Sequence, residues 1–308
     1  MSLSVVVGAG STGRALALLL AEDGEQVRLV TRSGSGPRHP GIELVAADAA
    51  DADRLSRLTE GAATLYNSAM PPYDRWPTDW PPLAAGMLSA AERTGAGYVM
   101  LGNTYGYGPF TGPITEDRPI APTTVKGRVR AQLWADALEA HQAGRVRVTE
   151  VRGSTFLGGE AQSVFNFAVV PQVLAGTAAV YSGALDVDHS WTYVADAART
   201  MIAAARHGDA WGTAWHIPST SAAPLRVVTE QLAALAGAPA PQLSEMSAEE
   251  LARIAEQNSV MAELVEMQYL SREPHLLDST HTEAVLGVTA TPLDVVLKET
   301  IDAARAAA

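Results

Sequence analysis

Along the first half of the chain, apolar residues switch between two periods. Runs of strand length rich in β-branched and other apolar residues stand at Val5–Val7, Gln26–Val30, Ile42–Val45, Ala63–Ala69, Tyr98–Leu101 and Val146–Val151. Between them, apolar residues recur at helical spacing after Gly13 and over Asp51–Glu60, Pro82–Thr94 and Thr124–Gln142. Strands that alternate with helices predict a doubly wound α/β fold with a parallel sheet. Met70–Pro82, rich in Pro and Trp, reads as a rigid loop, and Ile114–Pro122 as a proline-studded connection. Beyond Arg152 the alternation loosens. Helices are expected at Ser163–Ala175, Val194–Ala205, Leu225–Gly237, Ala248–Gln257, Val260–Tyr269 and Pro292–Ala307, with one short strand at Thr213–Ile217. The expected organisation is a Rossmann-type domain over residues 1–160 and a smaller, mostly helical substrate lobe over 161–308. Residues 190–217 are expected to return to the first domain.

The most informative stretch is Gly8-Ala-Gly-Ser-Thr-Gly13, placed between the first strand and the first helix. In that context Gly8 makes the turn, Gly10 leaves room for a pyrophosphate against bare backbone, and Gly13 lets helix and strand pack closely. The helix-start amides around Ser11 and Thr12 would hold the phosphates at the positive end of the helix dipole. The second strand ends in Thr31-Arg-Ser33, where an NAD-selective site carries an acid. Arg32 and Ser33 at that place suit a 2′-phosphate, which favours NADP over NAD. A solvated loop arginine is the plainer reading. Asp48, at a strand's carboxyl end, is either an adenine contact or a helix-entry cap. Asn67-Ser-Ala69 leaves the fourth strand toward the same crevice.

Composition narrows the field. The 308 residues carry a net charge of −12 and no cysteine, so disulfides and thiolate chemistry are excluded, and a nucleic-acid partner is not expected. No apolar run has the length of a membrane span, and no secretory leader pattern is seen, which predicts a cytoplasmic protein. The only lysines are Lys126 and Lys298. His39, His141, His207, His275 and His281 fall in loops or at helix ends, none with a partner at metal-ligand spacing, so no metal site is expected. His216, at a strand end beside Trp215, reads as a packed residue.

Several segments in register resemble the NAD-dependent epimerase/dehydratase family of extended short-chain dehydrogenase/reductases. They are Gly8–Gly13, Asp48, Asn67–Ala69, Asn103-Thr-Tyr-Gly-Tyr-Gly108, Thr115-Glu-Asp117, Pro122–Arg130, Arg152–Gly158 and His189-Ser-Trp-Thr-Tyr-Val-Ala-Asp196. The resemblance covers nearly the whole chain. It implies hydride transfer between a nicotinamide cofactor and a small carbonyl or sugar-like substrate. It also implies a homodimer through the helix at Thr124 and its neighbour.

The departures are as telling. The family's hydroxyl residue falls on Asn103, with Thr104 beside it. Its Tyr-x-x-x-Lys pair falls on Lys126 and Arg130, so the signature is absent. Its arginine-proline is Arg152-Gly153 here, and the arginine that grips a nucleotide diphosphate is His189. The resemblance therefore leaves two readings. In the first, Lys126 moves the proton, Asn103 or Thr104 binds the substrate oxygen, and Arg130 holds ribose; Tyr73, Tyr105 or Tyr107 could take the place of Lys126. In the second, the chain is a catalytically reduced cofactor-binding regulator or redox sensor.

Overall fold

The computed structural model describes residues 2–307. The chain opens with β1 (Leu3–Val7), α1 (Ser11–Glu22), β2 (Gln26–Thr31), β3 (Ile42–Ala46), α2 (Ala52–Thr59) and β4 (Thr64–Asn67). It continues with α3 (Trp76–Thr94), β5 (Gly97–Asn103), α4 (Val125–Gln142) and β6 (Val148–Gly153). The second half contains β7 (Thr155–Leu157), α5 (Val170–Leu174), β8 (Ala179–Tyr181), β9 (Trp191–Tyr193), α6 (Val194–Arg206) and β10 (Ala214–His216). It ends with α7 (Leu225–Ala236), β11 (Leu243–Glu245), α8 (Ala248–Ala255), α9 (Ser259–Glu266), α10 (Tyr269–Arg272), α11 (Thr280–Leu286) and α12 (Leu293–Ala307).

Among the described residues, one sheet runs in the order β3-β2-β1-β4-β5-β6-β10, and every neighbouring pair is parallel. This is the Rossmann-type arrangement. The strand order reverses between β1 and β4, and a crevice opens at such a reversal, outside the carboxyl ends of the strands. The chain comes back into the sheet late, when β10 pairs with β6.

The layers follow from the helix faces. On α1, Leu16, Ala17, Leu20 and Ala21 are buried against Ala197, Ala198 and Met201 of α6 and the sheet residues Val6 and Leu29. Leu16 and Leu20 are fully buried, which stabilises the packing by about 1.5–3 kcal/mol each relative to exposure. A second core lies under α2, α3 and α4, and a third fills the lobe around Phe165, Trp191, Leu232 and Val296. No helix among the described residues is long and apolar enough to cross a membrane.

Three local expectations change. The segment taken as a loop up to Pro82 is helical from Trp76, after one 3-10 turn at Tyr73–Arg75. Pro77 stands in the first turn, where its missing N–H is not needed. Pro81 and Pro82 sit inside the helix, and the burial of Trp76, Trp80 and Met87 offsets the ladder bonds they forfeit. The helix expected at Ser163–Ala175 is a π-type turn over Phe165–Val169 followed by the short α5, with Pro171 at its start. His275, assigned to a loop, is buried and makes a β-bridge with His189.

Candidate active site

The site is built where β1, β4, β5 and β6 end. Gly8 has φ +98°, and a Cβ there would lie 2.6 Å from Ala69 Cα. A Cβ on Gly13 would meet the Gly8 carbonyl oxygen at 2.0 Å, so α1 approaches β1 as closely as backbone allows. Ser68 closes the turn from the other side, its hydroxyl reaching the carbonyls of Val7 and Gly8 at 3.1 and 3.2 Å. A Cβ on Gly10, in contrast, would meet nothing within 4 Å. No side chain caps α1, and no acid stands in its first turn. The turn thus offers open space beside unused amides at a positive helix end, which suits the pyrophosphate of a dinucleotide.

The other cofactor candidates surround this turn. Arg32 and Ser33 are exposed just past β2. Asp48 is exposed after β3, with one carboxylate oxygen accepting from the Ala50 amide at 3.0 Å. Asn67 is buried, donates to the Tyr98 hydroxyl at 3.0 Å, and accepts from the Ala69 amide at 3.2 Å. It therefore shapes the β4 exit from within.

Thr124 caps α4, its hydroxyl accepting from the Gly127 amide at 3.0 Å. That start places Lys126 and Arg130 one turn apart, and both are buried. Lys126 Nζ donates to the Tyr73 carbonyl at 2.6 Å and to the Glu263 carboxylate of α9. It also lies 4.3 Å from the ring centre of Tyr73 and 5.3 Å from that of Trp76. Glu266, one turn along α9, accepts from the Val125 and Lys126 amides at 2.7 and 3.1 Å. The first turn of α4 and its lysine are thus both engaged by carboxylates from the lobe.

Arg130 points into the sheet, donating to the Leu101 carbonyl at 2.6 Å and lying 3.6 Å from Glu150. Its Nε is buried without an acceptor among the described residues. Arg152 donates to the other Glu150 oxygen at 2.6 Å and to the Tyr107 hydroxyl at 2.7 Å. Tyr107 in turn donates to His216 Nε2 at 2.7 Å, which leaves the ring proton on Nδ1 to bond the Asp278 carbonyl at 2.8 Å. Gly102 makes room for this network: a Cβ there would lie 2.5 Å from Glu150 Oε1.

The remaining candidates divide into two groups. Asn103 accepts from the Tyr105 amide at 3.1 Å, and the Tyr73 and Tyr105 hydroxyls are 3.3 Å apart beside Lys126. Burial pushes the phenols of Tyr73, Tyr105 and Tyr107 up, so they keep their protons. Thr104 is paired with His275 Nε2 at 3.0 Å, and His189 Nε2 with the Thr155 hydroxyl at 2.7 Å. The two imidazoles stack with centroids 5.5 Å apart. Burial brings His189 down to about 4 and His275 well below the usual histidine range, so both rings are neutral at physiological pH. No cluster of three or more metal-ligating side chains occurs among the described residues.

Glu150, Glu263, Glu266 and His275 are site residues that sequence reasoning did not single out, whereas Trp76 lies in the Pro- and Trp-rich stretch whose aromatics the sequence places beside the crevice. Glu150 stands two positions before Arg152 on a strand, so the pair's shared face was open to inference. Glu263 and Glu266 carried no such signal.

The glycine turn, the strand order and the residues at the strand exits define a class of dinucleotide-binding α/β proteins. Within it, the model of the NAD dependent epimerase/dehydratase family matches residues 4–217, and the chain belongs to that family. Comparison with curated protein sequences gives no match. Solved structures are similar in fold over the full length. The Bordetella bronchiseptica enzyme WbmH in complex with NAD+ superposes with a TM-score of 0.77 at 20% identity, 99% of each chain being covered. UDP-glucose 4-epimerase from Thermotoga maritima, solved with UDP-glucose, gives 0.80 at 18% identity, covering 100% of this chain and 99% of that one. UDP-glucuronic acid 4-epimerase from Bacillus cereus, in complex with UDP-glucuronic acid and NAD, gives 0.79 at 16%, covering 99% and 100%.

Proposed function

We propose that this protein is an NAD(P)-dependent oxidoreductase or epimerase/dehydratase-type enzyme that acts by hydride transfer on a small carbonyl or sugar-like substrate. The observation that carries the reading is the open, uncapped start of α1 over Gly10, at the strand-order reversal of a chain in the NAD-dependent epimerase/dehydratase family. The structurally similar proteins that hold NAD or sugar nucleotides support it.

When bound, the nicotinamide supplies or accepts the hydride. The amides at Ser11, Thr12 and Gly13 would hold its phosphates, Asp48 the adenine side, and Asn67–Ala69 the wall of the crevice. Exposed Arg32, with Ser33, gives a 2′-phosphate a charge-assisted partner, so NADP is the preferred cofactor. The unpartnered Nε of Arg130 is a donor left for ribose or substrate oxygen. Lys126 is the proton-transfer group in this reading, and the Asn103 amide nitrogen binds the substrate oxygen, because its carbonyl is already used by Tyr105. Thr104 stands next to Asn103 in sequence, its buried hydroxyl paired with His275. Self-association is assigned to the groove of about 390 Å³ between α3 and α4, lined by Pro81, Ala84, Leu88, Val129 and Leu133, and light scattering tests it.

The deciding experiment is calorimetric titration with NADP⁺ and NAD⁺, alongside Arg32→Ala, followed by cofactor oxidation with candidate carbonyl compounds. NADP⁺ binds more tightly, and Arg32→Ala weakens it roughly ten- to hundredfold, the range for one charged hydrogen bond, while leaving NAD⁺ unchanged. Binding of neither dinucleotide would overturn the reading.

A further inference from the structure

Lys126 has no exposed surface, yet its walls come from two different parts of the chain. The Tyr73 carbonyl and ring belong to the segment that joins β4 to α3, and the Trp76 ring to the first residue of α3. Glu263 arrives from the lobe, on α9. The same helix sends Glu266 to the α4 amides and Ser259 to Asp74, at 2.6 Å.

The way α9 is seated differs from every long helix of the fold. None of its eight residues is buried, and Val260 and Val265 are exposed. The buried residues that flank it, Leu251 on α8 and Met267 just after it, anchor the segment at both ends. Met261 and Leu264 are only half-buried, and the hydrogen bonds that join α9 to the cofactor domain come from three polar side chains at one-turn spacing, Ser259, Glu263 and Glu266. The Glu266–Val125 and Ser259–Asp74 bonds are exposed, so they are weak and open to salt, while the Lys126–Glu263 pair, buried at its lysine end, is screened less. Segments held this way are the first to open in a native protein.

We propose that α9 is a gate, latched shut by Glu263 and Glu266 over Lys126 and the start of α4, and that any substrate reaching Lys126 does so with the latch released. The inference concerns access, and it stands whether or not Lys126 carries the proton.

The chain's two lysines make the test direct. Reductive methylation read by peptide mass spectrometry reports Lys126 against Lys298, whose side chain is 58% exposed on α12. Hydrogen exchange of residues 259–266 is read in parallel, with β1 and β5 as references for the intact fold. In the wild-type protein Lys126 reacts at least about tenfold more slowly than Lys298, and raising NaCl from about 0.05 M to about 1 M speeds Lys126 and the exchange of α9 together.

Glu263→Gln with Glu266→Gln raises both about tenfold or more. Because Glu263 also touches the amine, Ser259→Ala with Glu266→Gln is the second variant, with Glu263 left in place; it raises both as well. Equal labelling of the two lysines in the wild type overturns the gate. So does unchanged α9 exchange in both variants, or faster labelling confined to the variant that removes Glu263.

Discussion

Glu150 and Arg152 stand two positions apart on β6, on the same face of the strand, and join at 2.6 Å with side chains only 3% and 4% exposed. Arg130 of α4 shares the same carboxylate. One acid therefore serves two buried guanidinium groups. Glu150→Gln leaves both without a counter-charge, and the expected loss is about 3–5 kcal/mol, the range for breaking a buried pair. Urea unfolding measures it, and a loss below about 1 kcal/mol would show that water reaches the network.

The buried histidines set an acid limit. His189 falls to about 4 in the folded chain, and burial also lowers His275 and His216. Unfolded histidine titrates near ~6.5. Below that pH the unfolded chain binds protons that the folded chain refuses, so stability declines as pH falls from about 6.5 towards about 4. His189 alone accounts for roughly 3 kcal/mol across that window, at about 1.36 kcal/mol per pH unit. Denaturant midpoints at about pH 7.5, 6 and 5 follow the decline, and His189→Gln makes it shallower. Identical slopes in the two proteins would remove His189 from the account.

Gly10 and Gly13 separate binding from folding. Gly10 has φ −68° and open space around it, so Gly10→Ala leaves stability within about 0.5 kcal/mol while weakening dinucleotide binding tenfold or more, about 1.4 kcal/mol. Gly13→Ala drives a methyl against the Gly8 carbonyl and is expected to cost about 1–3 kcal/mol of stability. Thermal melts and calorimetry on the two variants check the split. Unaltered dinucleotide affinity in Gly10→Ala would mean that phosphates do not pass over this residue.

Lys126→Met keeps the length of the side chain and removes its charge. With Lys126 as the proton-transfer group, kcat on an identified substrate falls by about 10²–10⁴, and NADP⁺ affinity stays within about threefold. Stopped-flow reading of cofactor oxidation tests this. An unchanged kcat would return Lys126 to a purely structural role.

The fold was largely legible because its signals are local. A β-branched run, three glycines at fixed offsets and the return of apolar period in α1 occupy one short stretch, and each is enforced by backbone sterics at Gly8 and Gly13. The i, i+4 placement of Lys126 and Arg130 on α4 followed from a single element too. What the two side chains touch did not. Lys126 meets Glu263 across 137 positions, and His275 meets Thr104 across 171, contacts that only the path of the lobe decides. The start of α3 was hidden for a different reason. Pro77 reads as a breaker, yet a proline in the first helical turn costs no hydrogen bond, and the indoles of Trp76 and Trp80 find a core to enter.

The late return of β10 bears on how the two halves can be recombined. Its three residues carry His216 to Tyr107 and complete the edge of the sheet beside β6. A first half cut near residue 160 would present β6 as a bare edge, with Arg152 and Tyr107 lacking their outer partner, and bare edges pair with other chains. Exchange of second halves between relatives therefore has no single crossover point here. A working chimera must keep β10 and its histidine with the sheet while replacing the chain on either side of them.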